Sequence, residues 1–296
     1  MEDEARKELD EMHKKRRRIT LQPIAVAKQD RQKIPVPSAI RSIFWDDALQ
    51  AKMKQDIVER FFDANFGAQL VRSDPPVVYF SSFLDKDTLD DLLRFVNEQW
   101  AKLPPEISPQ ESVEGAKVSK KQQLALGQRT SVSEAFPERK HYILRRIGAR
   151  ARAALGLPLG AKYLEYLQVV RYKEGQKFDL HHDAGTLHID DKDQSISVDI
   201  AKDTLDTPLR SFTIFVYLND VPERNGGATV FPLAKNERGE PLSVQPRAGA
   251  ASMWANVTED GDAAEIRTIH AAEPLRGKKS TKSGMNIWFT FREFSS

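Results

Sequence analysis

The chain has 296 residues, no cysteine, and 45 basic against 43 acidic side chains, for a net charge of +2. Without thiols neither a disulfide framework nor a thiolate metal site can form, so a bound metal has to be held by imidazole and carboxylate. The near-balance of charge argues against nucleic acid as a main partner, and no apolar stretch follows the acidic start and basic run Lys14–Arg18, so neither signal peptide nor membrane span is expected.

A soluble, cytoplasmic protein is predicted, in which Lys14–Arg18 is a solvated tail or, alternatively, a nuclear-import or acidic-partner patch. Residues 1–45 are polar and interrupted by Pro23, Pro35 and Pro37, which predicts an extension. Over 46–70, Leu49, Met53, Ile57 and Phe61 recur at helical spacing behind Asp46, an amphipathic helix. Residues 71–296 carry the remaining patterned sequence and read as the main domain.

Val77–Phe80 reads as a strand. Asp87 is the expected cap of a helix that buries Leu89, Leu92, Leu93, Val96 and Trp100. The lysine-, glutamine- and proline-rich stretch 102–128 reads as a loop. A second helix is expected from Pro137, with Ile143, Leu144, Ile147 and Leu155 inward and Gly156 and Pro158 closing it. The pattern then turns to strands at Leu164–Arg171, Phe212–Leu218, Ala228–Phe231, Ala250–Trp254, Arg267–His270 and Met285–Phe291, parted by turns such as Asn225-Gly226-Gly227. Helices first and strands afterwards predict an α+β fold, with helices on one face of a curled antiparallel double sheet whose mouth can seat a ligand.

The chemistry concentrates in Tyr172–Asp183. His181 and Asp183 stand two residues apart in a segment that reads as strand, so both point to one side and His182 to the other. A lone His-x-Asp is most often a solvated surface pair. Here His270, in the β-branched run Ile266–His270, offers a third ligand, and two imidazoles with one carboxylate and an open face suit iron(II) oxygenase chemistry.

Several stretches then combine: Glu165-x-Leu167-Gln168-Val169-Val170-Arg171-Tyr172; Tyr172-x-x-Gly175-x-x-Phe178-x-x-His181-x-Asp183; Arg210-x-x-Thr213-x-x-x-Tyr217-Leu218-Asn219-Asp220-Val221; Gly226-Gly227-Ala228-Thr229-x-Phe231-Pro232; and His270-x-x-x-Pro274-x-x-Gly277. Together they resemble the prolyl 4-hydroxylase branch of the iron(II)- and 2-oxoglutarate-dependent dioxygenases, from about Val77 to Phe291. The resemblance implies a double-stranded β-helix (jelly-roll, cupin-like) in a catalytic domain over 71–296. It implies Fe(II) on His181, Asp183 and His270, with 2-oxoglutarate, O2 and ascorbate as co-reactants and no catalytic side chain beyond the metal ligands.

It further implies that a base six residues before Trp288, which is Lys282, meets the far carboxylate of 2-oxoglutarate, with Lys279 as rival. Tyr172 and Thr213 would add hydroxyl donors to that carboxylate. Arg129 and Ser131 fall in the family's substrate-facing segment, and Trp288 would wall the substrate pocket. The chain departs from the family at Phe178, where tyrosine is common, and at Ala228, where glutamate is frequent.

The activity so implied is hydroxylation of a prolyl residue in a protein or peptide, giving succinate and CO2. Hydroxylation of a free amino acid or other small molecule is the alternative, for which Arg129, Arg171 or Arg210 would supply a carboxylate clamp; a non-catalytic binding module is a third. Residues 184–209 carry six aspartates against two lysines, which favours a basic peptide if this segment covers the substrate. Oligomeric state is not legible in the sequence.

Overall fold

The computed structural model describes residues 44–45, 66–71, 73–103, 105, 130–190, 195–201, 208–236 and 238–294. Lys14–Arg18, Arg129 and nearly all of the amphipathic helix expected over 46–70 lie outside these residues. In chain order the elements are β1 Ala68–Val71, β2 Ser73–Asp74, β3 Val77–Phe80, α1 Lys86–Lys102, β4 Val132–Phe136, α2 Tyr142–Ala154, β5 Leu167–Lys173, β6 Phe178–His181, β7 Gly185–Ile189, β8 Ile196–Ile200, β9 Arg210–Tyr217, β10 Thr229–Asn236, β11 Pro241–Val244, β12 Ala251–Ala255, β13 His270–Ala272 and β14 Thr281–Thr290.

Strand alternation builds two cores from one sheet. In β9, Phe212, Ile214 and Val216 face the helices, whereas Thr213, Phe215 and Tyr217 face a second sheet; β14 divides Met285, Ile287 and Phe289 from Gly284, Asn286 and Trp288 in the same way. The larger sheet has the order β1-β3-β12-β9-β14-β5-β4 and the smaller β11-β10-β13-β6, with β2 paired to β10. Neighbours are antiparallel throughout. The result is the jelly-roll sandwich with helices on one sheet, as the sequence led us to expect.

Helix α1 buries Leu89, Leu92, Phe95, Val96 and Trp100 at helical spacing against the larger sheet. Each such side chain contributes about 1.5–3 kcal/mol when fully buried. Its cap is Asp85, whose Oδ1 accepts from Thr88 N at 2.8 Å; Asp87, the expected cap, lies inside the first turn. Either carboxylate suits the positive end of the helix dipole, but only Asp85 has the extended backbone a cap needs.

α2 starts at Tyr142 rather than at Pro137. Pro137 leads only a single 3-10 turn over Glu138–Lys140, after which His141 is extended (φ −155°) and interrupts the helical path. His141 then caps α2, its Nδ1 accepting from Ile143 N at 3.3 Å. Phe44 and Trp45, at the end of the polar stretch 1–45, pack on Phe212 at ring distances of 5.3 and 5.2 Å.

The strand predicted at Arg267–His270 is half turn. Ile266–Thr268 forms a 3-10 turn because Glu265 accepts from Arg267 N and binds the Arg267 guanidinium, and β13 begins only at His270. β14 begins earlier than expected, at Thr281, which brings Lys282 onto the strand. The β7–β8 hairpin was not predicted: Leu187, Ile196 and Val198 pack on Ile269, Leu180, Leu233 and Ile266, none of which lines the cavity described below. The described part of the acidic segment therefore sits against the back of the smaller sheet, with Asp199 paired to His188 at 2.9 Å. Among the described residues no helix is long and apolar enough to cross a membrane.

Candidate active site

His181 on β6 and His270 on β13 are direct cross-strand partners. β6 ends at His181, so Asp183 arrives from the turn that follows rather than from the strand itself. The three side chains meet all the same: one ligand atom from each lies within 4.8 Å of the others, His181 Nε2 is 3.8 Å from Asp183 Oδ1, and His270 Nε2 is 3.8 Å from Asp183 Oδ2.

The ring orientations are fixed from behind. His181 Nδ1 lies 2.8 Å from the Asp179 carbonyl and His270 Nδ1 lies 2.9 Å from the Thr268 carbonyl. A carbonyl can only accept, so each ring holds its proton on Nδ1 and turns a lone pair outward at Nε2. Two such nitrogens and a carboxylate are three acceptors converging on one point, an arrangement that repels itself unless a cation lies among them. The donor set fits a borderline divalent ion with part of its coordination sphere open.

Asp183 is 6% exposed at its side chain. Burial pushes its carboxyl up, but the imidazoles of His270 and His181 when protonated, the Arg210 guanidinium and a hydrogen bond from Thr213 outweigh that and hold it below the usual carboxylate range. Thr213 departs from expectation here. Its hydroxyl donates to Asp183 Oδ2 at 2.7 Å and accepts from Asn256 Nδ2 at 2.9 Å, so its one hydrogen is spent on the metal-site carboxylate and is not available to a co-substrate.

The cavity beside the triad is lined by Tyr172, Phe178, Phe215, Trp254, Lys282 and Trp288, among others. Lys282 is 1% exposed and its ammonium nitrogen has no hydrogen-bond partner; it lies 5.5 Å from the Tyr172 ring and 5.6 Å from the Phe215 ring. Burial pulls its pKa down to about 7, with Glu273 opposing. An orphaned buried amine asks for an anion. Lys279, the rival, is exposed in the preceding turn.

Glycines make room for this arrangement. A Cβ on Gly284 would stand 2.3 Å from the Phe215 ring, and Gly227, at φ +73°, lies where a Cβ would touch the Lys282 stem.

Tyr172 stands opposite Lys282 across the β5–β14 pair and lines the cavity. Trp288 also lines it, with Arg210 stacked 3.5 Å from its ring and held bidentately by Glu165 at 2.8 and 2.9 Å. Ser131 is fully buried but is not among the lining residues, and Arg129 lies outside the described residues. Arg171 is turned to the helix face, stacked on Trp100 at 4.4 Å.

His182 faces away from the triad, yet it is buried. Its Nδ1 accepts from Ala184 N, and its Nε2 donates to the Glu265 carbonyl at 3.2 Å; burial pulls its pKa down to about 4. Asn256 was not singled out in the sequence. The available signal was parity: Ser252, Trp254 and Asn256 share the inner face of the β12 segment, where a polar amide in an apolar run needs a partner.

Residues 167–290 match the sequence profile of the 2OG-Fe(II) oxygenase superfamily. The chain is similar to mouse transmembrane prolyl 4-hydroxylase, 30% identical over 148 residues that cover 42% of this chain and 29% of that protein. It is also similar to bovine prolyl 4-hydroxylase subunit alpha-3, 28% identical over 207 residues, 70% of this chain and 32% of that one. It therefore spans under a third of these curated relatives. Among solved structures it resembles the viral collagen prolyl hydroxylase of Paramecium Bursaria Chlorella virus-1 in its 2OG complex, with TM-score 0.47 and 21% identity over 72% of this chain and 94% of that one. The matched stretch holds all three members of the His-Asp-His cluster, so the chain is similar to the 2OG-Fe(II) oxygenase superfamily, and to its prolyl 4-hydroxylases, over the part that carries the candidate metal site.

Proposed function

We propose that the domain hydroxylates a C–H bond, and that its substrate is a prolyl residue in a protein or peptide. The observation that carries this reading is the placement of three converging metal-type ligands and one partnerless buried lysine in a single cavity. Iron(II), 2-oxoglutarate and O2 together supply the oxidising chemistry and yield succinate and CO2, with ascorbate as the supporting reductant.

The protein's part is holding and shielding. His181, Asp183 and His270 would hold the metal, while Lys282, as ammonium, would bind the far carboxylate of 2-oxoglutarate in a desolvated charge-assisted pair. Tyr172 lies beside that amine. Phe215, Trp254 and Trp288 keep water from the reacting region.

The prolyl assignment rests on the named relatives and on the site's lack of a carboxylate clamp among the described residues. Of the three arginines that could supply such a clamp, Arg171 is engaged with Trp100 and Arg210 with Glu165, and Arg129 lies outside the described residues. A polypeptide substrate has no such need at an internal residue. The filled ligand set disfavours a non-catalytic module.

Purified protein incubated with iron(II), ascorbate, 2-oxoglutarate and proline-containing peptides should release succinate and add oxygen to proline, read by mass spectrometry. Succinate formation that persists unchanged after His181→Ala would overturn the assignment of the site. Oxygen found only on a free amino acid would overturn the substrate class.

A further inference from the structure

We propose that Asn256 and Thr213 form a positioning relay that sets the orientation of the Asp183 carboxylate, and thereby the metal affinity of the site. The inference rests on the metal-centre reading above and adds two residues to it.

The three ligands are not anchored in the same way. Each imidazole is fixed by its own Nδ1–H bond to a carbonyl two residues before it. A carboxylate has no comparable second nitrogen, and its terminal torsion is broad and roughly two-fold. Left to itself, Asp183 could turn either oxygen toward the histidines. The 2.7 Å bond from Thr213 to Oδ2 removes that freedom.

Asn256 gives this bond its direction. A threonine hydroxyl has one hydrogen and can be donor or acceptor toward either neighbour. Because Asn256 Nδ2 donates to Oγ1 at 2.9 Å, the hydroxyl hydrogen is left for Asp183. The opposite amide orientation would put Oδ1 beside the hydroxyl and draw that hydrogen off the carboxylate. Asn256 is 0% exposed, and its backbone is held on both sides: its N–H donates to the Ser211 carbonyl at 2.8 Å and its carbonyl accepts from Glu265 N at 2.8 Å. Thr213 is likewise 0% exposed.

Cross-strand pairing delivers the two residues together. Thr213 sits opposite Trp254 in the β9–β12 ladder, and Asn256, two residues beyond Trp254, returns to the same inner face. A threonine and an asparagine on the dry side of a sandwich are costly without partners; Thr213 is paired on both sides, by Asn256 Nδ2 and Asp183 Oδ2, whereas Asn256 Oδ1 has no hydrogen-bond partner among the described residues.

The test measures cobalt(II) binding to the full chain by calorimetry and by the visible absorption of the bound ion, with thermal unfolding in parallel. Thr213→Val keeps the side-chain shape and removes the hydroxyl; it should weaken cobalt(II) binding by about 10- to 100-fold, the usual effect of deleting a partner of a metal ligand, and alter the absorption bands. Thr213→Ser should restore native affinity and bands, which a purely space-filling role would not require. Asn256→Leu should weaken binding to a smaller extent and reports on the relay if the valine variant does not fold.

A folded Thr213→Val, or in its place a folded Asn256→Leu, with native cobalt(II) affinity and native absorption would overturn the relay. If the native chain binds no cobalt(II), or His181→Ala binds it equally well, the metal-centre reading fails instead and the relay falls with it.

Discussion

His270 faces His181 across the β6–β13 pair with ring centroids 4.2 Å apart and planes inclined by 58°, while His182, one residue away, is buried between the Glu265 carbonyl and the Ala184 N–H. Neighbours in sequence thus have opposite duties. Replacing His181 or His270 by alanine should abolish turnover and metal binding and leave the melting temperature of the metal-free protein unchanged or raised, because a self-repelling acceptor is removed. His182→Ala should do the reverse. It leaves the Ala184 N–H short of a partner at about 1–3 kcal/mol, while the Glu265 carbonyl keeps its bonds from Thr268, so thermal unfolding should show the loss and cobalt(II) titration should show little.

Lys282 makes the metal-free, co-substrate-free protein sensitive to alkaline pH in an unusual direction. Its folded pKa of about 7 lies below the ordinary lysine value of 10.5. Between these values the unfolded chain holds a proton that the folded chain does not, so this group makes the folded state more stable as pH rises through the window. Lys282→Met should flatten that slope in chemical unfolding measured from pH 7 to 10, and a slope that persists would assign it to another group.

The same amine should take up a proton when a dicarboxylate binds above pH 7. Calorimetric titration of 2-oxoglutarate into metal-loaded protein in buffers of different ionisation enthalpy would register this as a buffer-dependent heat. In Lys282→Met the KM for 2-oxoglutarate should rise by about 10- to 100-fold, corresponding to a lost charged hydrogen bond of 1.5–3 kcal/mol.

Gly284→Ala would drive a methyl into the Phe215 ring, which lines the cavity. Overpacking of this kind costs about 1–3 kcal/mol. We expect weaker 2-oxoglutarate binding with cobalt(II) binding intact, and equal losses in both would show that the ring moves toward the triad instead.

Arg210 is pinned by Glu165 while its plane covers Trp288. Lysine can supply neither the fork nor the flat face. Arg210→Lys should raise the KM for peptide more than the KM for 2-oxoglutarate, measured by succinate release at varied concentrations of each.

The convergence of His181, Asp183 and His270, and the burial of Lys282 rather than Lys279, were anticipated from spacing and family pattern; strand parity served His181 but not Asp183, which lies in the turn after β6. Thr213 shows where that reading stops. Its position was legible, but its partner depends on which acceptor the folded sandwich brings within reach, and that acceptor is Asp183 Oδ2. Asn256 was missed for the same reason. The β7–β8 hairpin escaped notice although Ile196–Ile200 alternates strictly, because both strands are only five residues long and stand in a segment with six aspartates, which reads as an acidic loop. The start of α2 was misplaced because proline is a familiar opening residue and histidine an uncommon cap.

The β7–β8 hairpin leaves the site directly after Asp183, and the residue on which it rests, Ile269, enters the site as the neighbour of His270. An ion gripped by both side chains would act as a rivet through that joint, fastening hairpin to sheet from beneath. Protease nicking of 184–201 should accordingly slow when cobalt(II) is added, giving the metal centre a readout at the molecular surface that needs no substrate.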